Sequence, residues 1–423
     1  MTTEPHDFPQ YDPDIDYTTL CYEDPIEFRG GEINGAPYEQ PSLIKHLLKQ
    51  LRPGQDLTRT MIPVEFLDPR SLLERFGDTL MHIDILDDDC MINGTEEQRF
   101  MNILKWYLSA WHYKAHGVKK PYNPIIGECY SCICKTKKST ISYIAEQVSH
   151  HPPVSAFYLE NQTMGYCVEG YIWTKSQFTG NSALCGMVGE CTITLPRLGE
   201  VYKTRIPNFS GTGLFVGKLA LQLIDDVTLS CEKTGYSADI HFHAKPFFGE
   251  YNVVKGCIKK EKDTLSHFEG KWDTSYSITD AKTSETKTLL DVASLTVLPK
   301  LTLKEEYEGL YESRRLWLDV TKSIRKEGGP DWNTVAKKKA ELEESQRLLP
   351  CHQEGDKYKP WETKFFDPID PPAHIKMQHA YVFKYKDLNL LTPEAKPRNF
   401  LALCRNCNDP RGNPAPLKDL LKK

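Results

Sequence analysis

The sequence predicts an α+β protein built on one large antiparallel β-sheet, with helices before and after it. Short runs of alternating apolar and polar residues recur from about Glu128 to Ile278, between Gly, Asn and Asp residues. Residues 171–174, 192–195 and 239–242 are examples, and apolar residues at helical spacing flank the region on both sides. Because closure removes exposed strand edges, such a sheet is most economically closed, and we expect a β-barrel with flanking helices.

The composition is that of a soluble globular protein of 423 residues with a net charge of −5. Hydrophobic residues make up 39% and charged residues 26%, which is ordinary for a globular domain. The negative balance and the lack of a long basic run argue against nucleic-acid binding. No apolar run approaches the roughly 18–20 residues of a membrane span, and the polar start of the chain does not resemble a signal peptide. We therefore expect a cytoplasmic protein.

Most of the thirteen cysteines are expected to be free thiols in that compartment. Cys404 and Cys407 form a lone CxxC pair, whereas a zinc site needs further ligands at recognisable spacing. We predict neither a bound metal nor a cofactor.

A short helix is predicted just before Pro53 and Gly54, which would end it. Its apolar residues fall on one helical stripe: Leu43, Ile44, Leu47, Leu48 and Leu51. A helix of about ten residues is marginal alone, so this stripe must dock on an apolar surface. An ordinary core helix and a detachable lid both meet that requirement.

Helical periodicity is clear in four further stretches: 69–81, 96–116, 303–326 and 331–349. Asp68 is a candidate cap for the first of them, and Gly117 is expected to end the second. We divide the chain into a disordered acidic leader (1–40), a main domain (41–375) and an irregular tail (376–423). The parts of the main domain are a lid (about 41–53), N-terminal helices (69–117), a barrel (125–300) and C-terminal helices (303–349).

Two adjacent histidines, His150 and His151, precede two prolines in the sequence EQVSHHPP. Proline fixes its own φ and favours an extended residue before it, so the imidazoles are expected on a stiff, extended rim. Imidazole readily becomes a cation beside an anion, which suits phosphate binding. A structural or metal-binding pair is the alternative, although no further ligands stand at recognisable spacing.

A second segment, KPYNPIIGE, contains Lys120 and Asn123, each followed by a proline that stiffens the backbone. Its ammonium and amide groups can both donate to an anion. A solvated lysine before a structural turn is the plainer interpretation.

A third group consists of Lys339, Glu343 and Arg347, which share one helix face at a spacing of four. Helix ion pairs explain only half of this pattern, since Glu before Arg is the favourable order and Lys before Glu the poorer one. Arg347 could instead bind a phosphate through its guanidinium fork.

EQVSHHPP, KPYNPIIGE and the Lys-Glu-Arg spacing together resemble the oxysterol-binding-protein-related family, over about Ser42 to Trp361. The resemblance implies an incomplete antiparallel β-barrel enclosing a lipid tunnel with an N-terminal helical lid. It further implies that the three segments hold the head group of phosphatidylinositol 4-phosphate. The residues carried over are Lys120, Asn123, His150, His151, Lys339, Glu343 and Arg347.

The function implied by this resemblance is exchange of phosphatidylinositol 4-phosphate for a sterol or phosphatidylserine, with peripheral contact to membranes. A lipid sensor or scaffold that controls a partner protein is the alternative. A lipid hydrolase is disfavoured because no GxSxG, P-loop or HExxH motif occurs. No upstream pleckstrin-homology-like domain and no FFAT motif are recognised, so a tethering partner is not identified.

Overall fold

The structure, a computed structural model, covers most of the chain. The described residues are 16–23, 52–55, 63–112, 120–180, 182–212, 220–246, 248–347, 361–386, 391, 400, 401 and 404. The predicted lid residues Leu43, Ile44, Leu47 and Leu48 lie outside them, as does the side chain of Arg347.

The described residues form twenty strands. In chain order they are β1 (Leu20–Tyr22), β2 (Leu67–Ser71), β3 (Lys120–Tyr122), β4 (Cys129–Lys135), β5 (Thr140–His150), β6 (Pro153–Asn161), β7 (Tyr166–Phe178), β8 (Ala183–Leu195), β9 (Glu200–Thr204), β10 (Phe209–Thr212), β11 (Ala220–Leu223), β12 (Asp225–Cys231), β13 (Tyr236–Phe242), β14 (Val253–Lys260), β15 (Asp263–Lys271), β16 (Ser275–Asp280), β17 (Thr286–Asp291), β18 (Lys300–Leu303), β19 (Phe366–Ile369) and β20 (Ala380–Phe383).

Sixteen of these strands form one antiparallel sheet, as the alternating sequence pattern predicted. Its order is β1-β18-β4-β5-β6-β7-β8-β9-β12-β13-β14-β15-β16-β17, with β10 paired to β8 and β11 paired to β10. The three runs quoted above lie in β7, β8 and β13. A parallel pair, β2 with β3, and an antiparallel pair, β19 with β20, stand apart from the main sheet.

Six α-helices in the described residues complete the α+β architecture. They are α1 (Leu72–Phe76), α2 (Cys90–Asn93), α3 (Glu96–Ser109), α4 (Ser313–Leu316), α5 (Leu318–Ile324) and α6 (Trp332–Arg347). A 3₁₀ segment, Gly77–Asp87, joins α1 to α2.

The helix predicted at 69–81 is shorter than expected and begins later. Ser71, not Asp68, is its N-cap, and Glu74 completes a capping box. The preceding residues are held extended because β2 pairs with β3. After Phe76 the chain continues as a 3₁₀ segment rather than an α-helix.

Helix α3 begins where the sequence predicted but ends at Ser109 instead of 116. Thr95 and Gln98 form the capping box at its start. At its end the Ser109 hydroxyl donates to the Trp106 carbonyl at 2.8 Å, a local bond of the kind that competes with helix continuation.

The stretch 303–326 is also not one helix. Its first residue belongs to β18, and its α-helical residues are divided between the two short helices α4 and α5. β18 lies between β4 and β1, with Leu303 opposite Leu20. The predicted disordered leader is therefore ordered over residues 16–23. The buried Glu23 carboxylate lies 3.1 Å from the Lys300 ammonium, which fixes β1 to the sheet.

The face of the sheet covered by α1 to α3, called the inner face here, forms the largest apolar core. Tyr143 and Phe157 from the sheet pack in it with Phe76 and Phe100 from the helices. Along β5 the side chains alternate, so that Tyr143 belongs to this core while its neighbour Ile144 belongs to a second core on the opposite face.

That opposite face, the outer face, is covered by the β19–β20 hairpin. Phe383 stacks on Tyr158 with ring centroids 4.3 Å apart. The buried Glu146 carboxylate accepts the backbone N–H groups of Lys364 and Phe365, each at 2.8 Å. Strand β20 lies within residues 376–423, which were predicted to form an irregular tail. Over Ala380–Phe383 this segment is instead a regular strand.

Because neighbouring strands run in opposite directions, alternate turns lie at the same end of the sheet. We call the end where β5 finishes the histidine end. The turns between β5 and β6, β7 and β8, β13 and β14, and β15 and β16 all lie there.

Candidate functional site

The two histidines occupy the turn between β5 and β6. His150 is the last residue of β5 and pairs with Pro153, so His151 and Pro152 form a two-residue turn. The imidazole centroids are 4.7 Å apart and their planes are inclined by 66°. His151 is exposed and His150 partly exposed. The prediction of an extended backbone is therefore confirmed for His150, whereas His151 lies in the turn itself.

The segment 120–128 reaches this part of the sheet through backbone pairing with β5. The Gly127 N–H donates to the Gln147 carbonyl at 3.0 Å, and the Gln147 N–H donates to the Glu128 carbonyl at 2.8 Å. Gly127 has φ +76°, and a Cβ atom there would lie 2.3 Å from the ring of Trp361. Glycine alone satisfies both constraints.

Glu128, the last residue of that segment, is a buried anchor rather than a ligand-binding group. Its carboxylate accepts hydrogen bonds from Ser71 Oγ, from Ser313 Oγ at 2.6 Å, from Trp317 Nε1 at 2.9 Å and from the Ile125 N–H at 2.9 Å. Burial raises the pKa of Glu128, and these hydrogen bonds act in the opposite direction. The carboxylate thereby joins the segment to α4, to the residue after α4 and to the cap of α1.

Tyr122 fixes the other part of the segment. Its ring stacks on Trp317 at a centroid distance of 4.4 Å, and its hydroxyl lies 3.0 Å from the Thr321 hydroxyl. Lys120 and Asn123 on either side remain partly exposed. The aromatic anchor thus holds the backbone while the two polar side chains stay accessible.

Helix α6 supplies the third group of predicted residues. Val335 is buried in the apolar cluster that contains Trp317, and Leu342 packs against it. On the flank of that packed stripe, Lys339 Nζ lies 2.5 Å from Glu343 Oε1, and both side chains are partly exposed. The poorer sequence order for a helix ion pair therefore still forms one.

Lys120 lies within the range of electrostatic interaction with this pair. Its pKa is held below the usual value chiefly by burial; the Cys185 and Glu343 groups oppose this lowering, and the Lys339 ammonium adds to it. Lys120 forms no ion pair with the part of the chain that the structure describes. Among the described residues, the Glu343 carboxylate is paired with Lys339 alone, so the Lys120 ammonium is left to bind an anion.

Cys185 was not singled out by the sequence. It lies near the start of β8, at the histidine end of the sheet, where burial raises its pKa to about 11 and the charge of Lys120 opposes that rise. Its position next to Lys120 depends on strand order, and no local pattern indicates it. The packing of the Trp361 ring against Gly127 is likewise not indicated by any local sequence pattern.

The structure therefore brings Lys120, Lys339 and Glu343 together and places the histidine turn at the same end of the sheet. Arg347 is the last residue of α6, and the contacts of its side chain lie outside the described part of the chain. Within that described part there is no cluster of three metal-ligating side chains, every cysteine is a free thiol, and no helix is long and apolar enough to cross a membrane.

Comparisons with known sequences define the class of protein. The sequence model of the family described as oxysterol-binding protein matches residues 46–329. Human oxysterol-binding protein-related protein 8 is 38% identical over 350 residues, which cover 80% of this chain and 39% of that protein. The chain thus matches about two fifths of the length of this relative. Oxysterol-binding protein 4 of Dictyostelium discoideum is 36% identical over 367 residues, covering 83% of this chain and 76% of that protein.

The fold is also that of solved structures from this class. The Osh1 ORD domain in complex with cholesterol has a TM-score of 0.67 at 21% identity, covering 83% of this chain and 88% of that one. The Osh3 ORD in complex with PI(4)P from Saccharomyces cerevisiae has a TM-score of 0.62 at 18% identity, covering 84% and 93%. The fold is that of an ORD domain, and the sequence matches cover the greater part of this chain. This chain belongs to the oxysterol-binding protein family.

Proposed function

We propose that this protein binds phosphatidylinositol 4-phosphate and exchanges it for a second lipid, a sterol or phosphatidylserine, between the cytoplasmic faces of membranes. The observation that carries the proposal is the meeting of Lys120 with Lys339 and Glu343 at the histidine end of the sheet. A phosphomonoester carries a charge of about −1.5 to −2 near neutral pH. Ammonium and imidazole groups bind its oxygens, and Glu343 accepts hydrogen bonds from inositol hydroxyls.

The apolar part of the lipid requires an interior that excludes water. The proposal places it against the inner face of the sheet, in a tunnel of an incomplete barrel, with residues 41–53 as the lid. Removing hydrocarbon from water contributes about 25 cal/mol per Å², which offsets extraction from a bilayer. Family membership supports this arrangement, and two solved structures of the same fold are complexes with cholesterol and with PI(4)P.

The test is lipid extraction and transfer between vesicles by the intact chain. Wild-type protein is expected to extract phosphatidylinositol 4-phosphate from donor vesicles and to return a sterol or phosphatidylserine over repeated rounds. The double variant His150→Ala, His151→Ala should lose about a hundredfold or more in phosphoinositide affinity, since each charge-assisted hydrogen bond is worth roughly 1.5–3 kcal/mol. Extraction of the second lipid should persist, because that lipid presents a different head group.

A second close pair of histidines provides a matched control. His241 and His243 lie in and just after β13, also at the histidine end, with ring centroids 6.3 Å apart. Replacing both by alanine should leave phosphoinositide extraction unchanged. Normal extraction by the His150, His151 double variant would refute the site. Binding of both lipids without transfer would instead favour a lipid sensor or scaffold.

A further inference from the structure

Gln147 occupies a special position on β5, three residues before the histidine turn. Its backbone makes two hydrogen bonds to the segment that carries Lys120 and Asn123, one through Gly127 and one through Glu128. No other residue between it and His150 is paired to that segment by a described backbone bond. Gln147 is therefore the last residue of β5 that a described backbone hydrogen bond joins to this segment.

The side chain of Gln147 acts on the other side of the same junction. The pairing of β5 with β6 shifts here, from Gln147 opposite Ser155 to Ser149 opposite Val154, which leaves one extra residue on β5. Such a bulge interrupts the regular hydrogen bonds of the strand pair. Gln147 Nε2 donates to the Ser149 carbonyl at 2.8 Å, and Ser155 Oγ donates to Gln147 Oε1 at 2.6 Å.

The bond between Ser155 and Gln147 is buried, and the bond from Gln147 to the Ser149 carbonyl is partly buried. Gln147 is 1% exposed and Ser155 is 2% exposed, so water does not compete for the amide. A donor and an acceptor are both needed, one for the carbonyl of Ser149 and one for the hydroxyl of Ser155. The primary amide of glutamine supplies both from a single side chain, and it bridges the bulge directly before His150.

We propose that Gln147 is a positioning residue of the phosphoinositide site, which sets the place of His150 and His151 relative to Lys120 and Asn123. This inference rests on the proposed function. Gln147 acts through the backbone of its neighbours and not by contact with the lipid. Its loss would let the turn shift at the bulge, so that imidazole and ammonium groups no longer reach the same phosphate together.

The test compares Gln147→Met with Gln162→Met in the intact chain. Gln162 is equally buried, at 1% exposure, and its amide also donates within the sheet, to Glu160 at 3.2 Å. It follows β6 at the end of the sheet opposite the histidine turn. Both variants remove a buried amide, but only the first is expected to weaken extraction of phosphatidylinositol 4-phosphate from vesicles. The expected loss is at least about tenfold, which corresponds to the usual cost of leaving one buried hydrogen-bonding group unpaired.

A pH series on Gln147→Glu supplies a readout that a purely structural role would not move. The introduced carboxyl keeps an acceptor for Ser155, but when ionised it cannot donate to the Ser149 carbonyl. Burial raises the pKa of such a group, so acidification should protonate it and restore the donor. Phosphoinositide affinity relative to wild type should therefore recover as the pH is lowered from about 8 to about 5.

The outcomes separate this inference from the proposed function. If wild-type protein does not extract phosphatidylinositol 4-phosphate, the proposed function fails and the inference fails with it. If wild type extracts the lipid and Gln147→Met does so equally well, only the inference is overturned. Equal losses in the Gln147 and Gln162 variants, or an equal loss of phosphoinositide and of the second lipid, would also overturn it, as would a Gln147→Glu affinity ratio that stays constant with pH.

Discussion

Buried and partly exposed charges have different roles in this protein. Glu128 and Glu146 are both 0% exposed, and each accepts a set of hydrogen bonds from distant parts of the chain. A buried carboxylate with its donors in place fixes backbone position, and removing it would leave those donors unpaired. Lys120, by contrast, is partly exposed and carries a charge that burial disfavours. The segments KPYNPIIGE and EQVSHHPP thus contain structural anchors as well as candidate ligand contacts.

The lowered pKa of Lys120 predicts a pH dependence of phosphoinositide binding. Burial and the Lys339 ammonium hold this pKa below 10.5 in the free protein, and a bound phosphate raises it again by favouring the charged form. Affinity should therefore be full below the free-protein pKa, fall as the pH rises through it, and level off above the pKa of the complex. Titration of affinity from about pH 7 to about pH 11 measures this decline.

The variant Lys120→Arg isolates that contribution, because arginine stays protonated throughout this range. Its profile should lack the part of the decline due to Lys120, while other titrating groups affect both proteins alike. Superimposable profiles for wild type and variant would mean that Lys120 does not gain charge when the lipid binds.

At the scale of elements, the β19–β20 hairpin is an integral part of the core on the outer face. Phe383 is 3% exposed and contacts Tyr158, Phe366 and Phe400 through its ring. A hairpin is marginally stable alone, so its order here depends on this burial. The outer face of β5 to β7 in turn depends on the hairpin to exclude water.

Replacing Phe383 by alanine should therefore reduce the free energy of unfolding by about 3–5 kcal/mol, the usual cost of removing a buried phenylalanine. Ile369 lies in the same hairpin but is 42% exposed, so Ile369→Ala should cost no more than about 0.5 kcal/mol. Urea unfolding of the two variants and of wild type measures the difference. Equal, small effects would show that the hairpin does not contribute to the stability of the sheet.

At the scale of the whole molecule, strand order brings the ends of many strands together at one end of the sheet. The N-terminal part of the chain contributes to the same sheet, since β1 pairs with β18 and Glu23 reaches Lys300. Removing residues 1–51 would therefore delete a strand and leave the Lys300 ammonium with one carboxylate partner fewer. The lid prediction is better tested in the intact chain.

Hydrogen exchange of residues 42–51, with and without phosphatidylinositol 4-phosphate, gives that test. The stripe of Leu43, Ile44, Leu47 and Leu48 is too short to be stable alone, so its amides should exchange quickly without lipid and slowly when they cover a bound lipid. Exchange of β5 amides should be slow in both states and serves as the internal control. Strong, equal protection of 42–51 in both states would identify an ordinary core helix instead.

The sequence by itself determined what depends on local pattern. Period-two alternation predicted the strands of the sheet, helical spacing located α3 and α6, and the unusual composition around His150 and Lys120 indicated an anion site. These features follow from the geometry of one strand or helix, or from a few consecutive residues, and so can be recognised without knowledge of the neighbours.

Only the tertiary structure decided which of these parts meet. Pairing with β3 keeps Pro69 in a strand, and pairing with β18 orders the chain around Leu20, in both cases contrary to what the sequence pattern predicted. The approach of Lys120 to Cys185 and Glu343, and the bridge that Gln147 makes across the bulge, depend on strand order and on packing between residues far apart in sequence. Such contacts are fixed by burial and hydrogen bonding in the assembled sheet, which no short window of sequence contains.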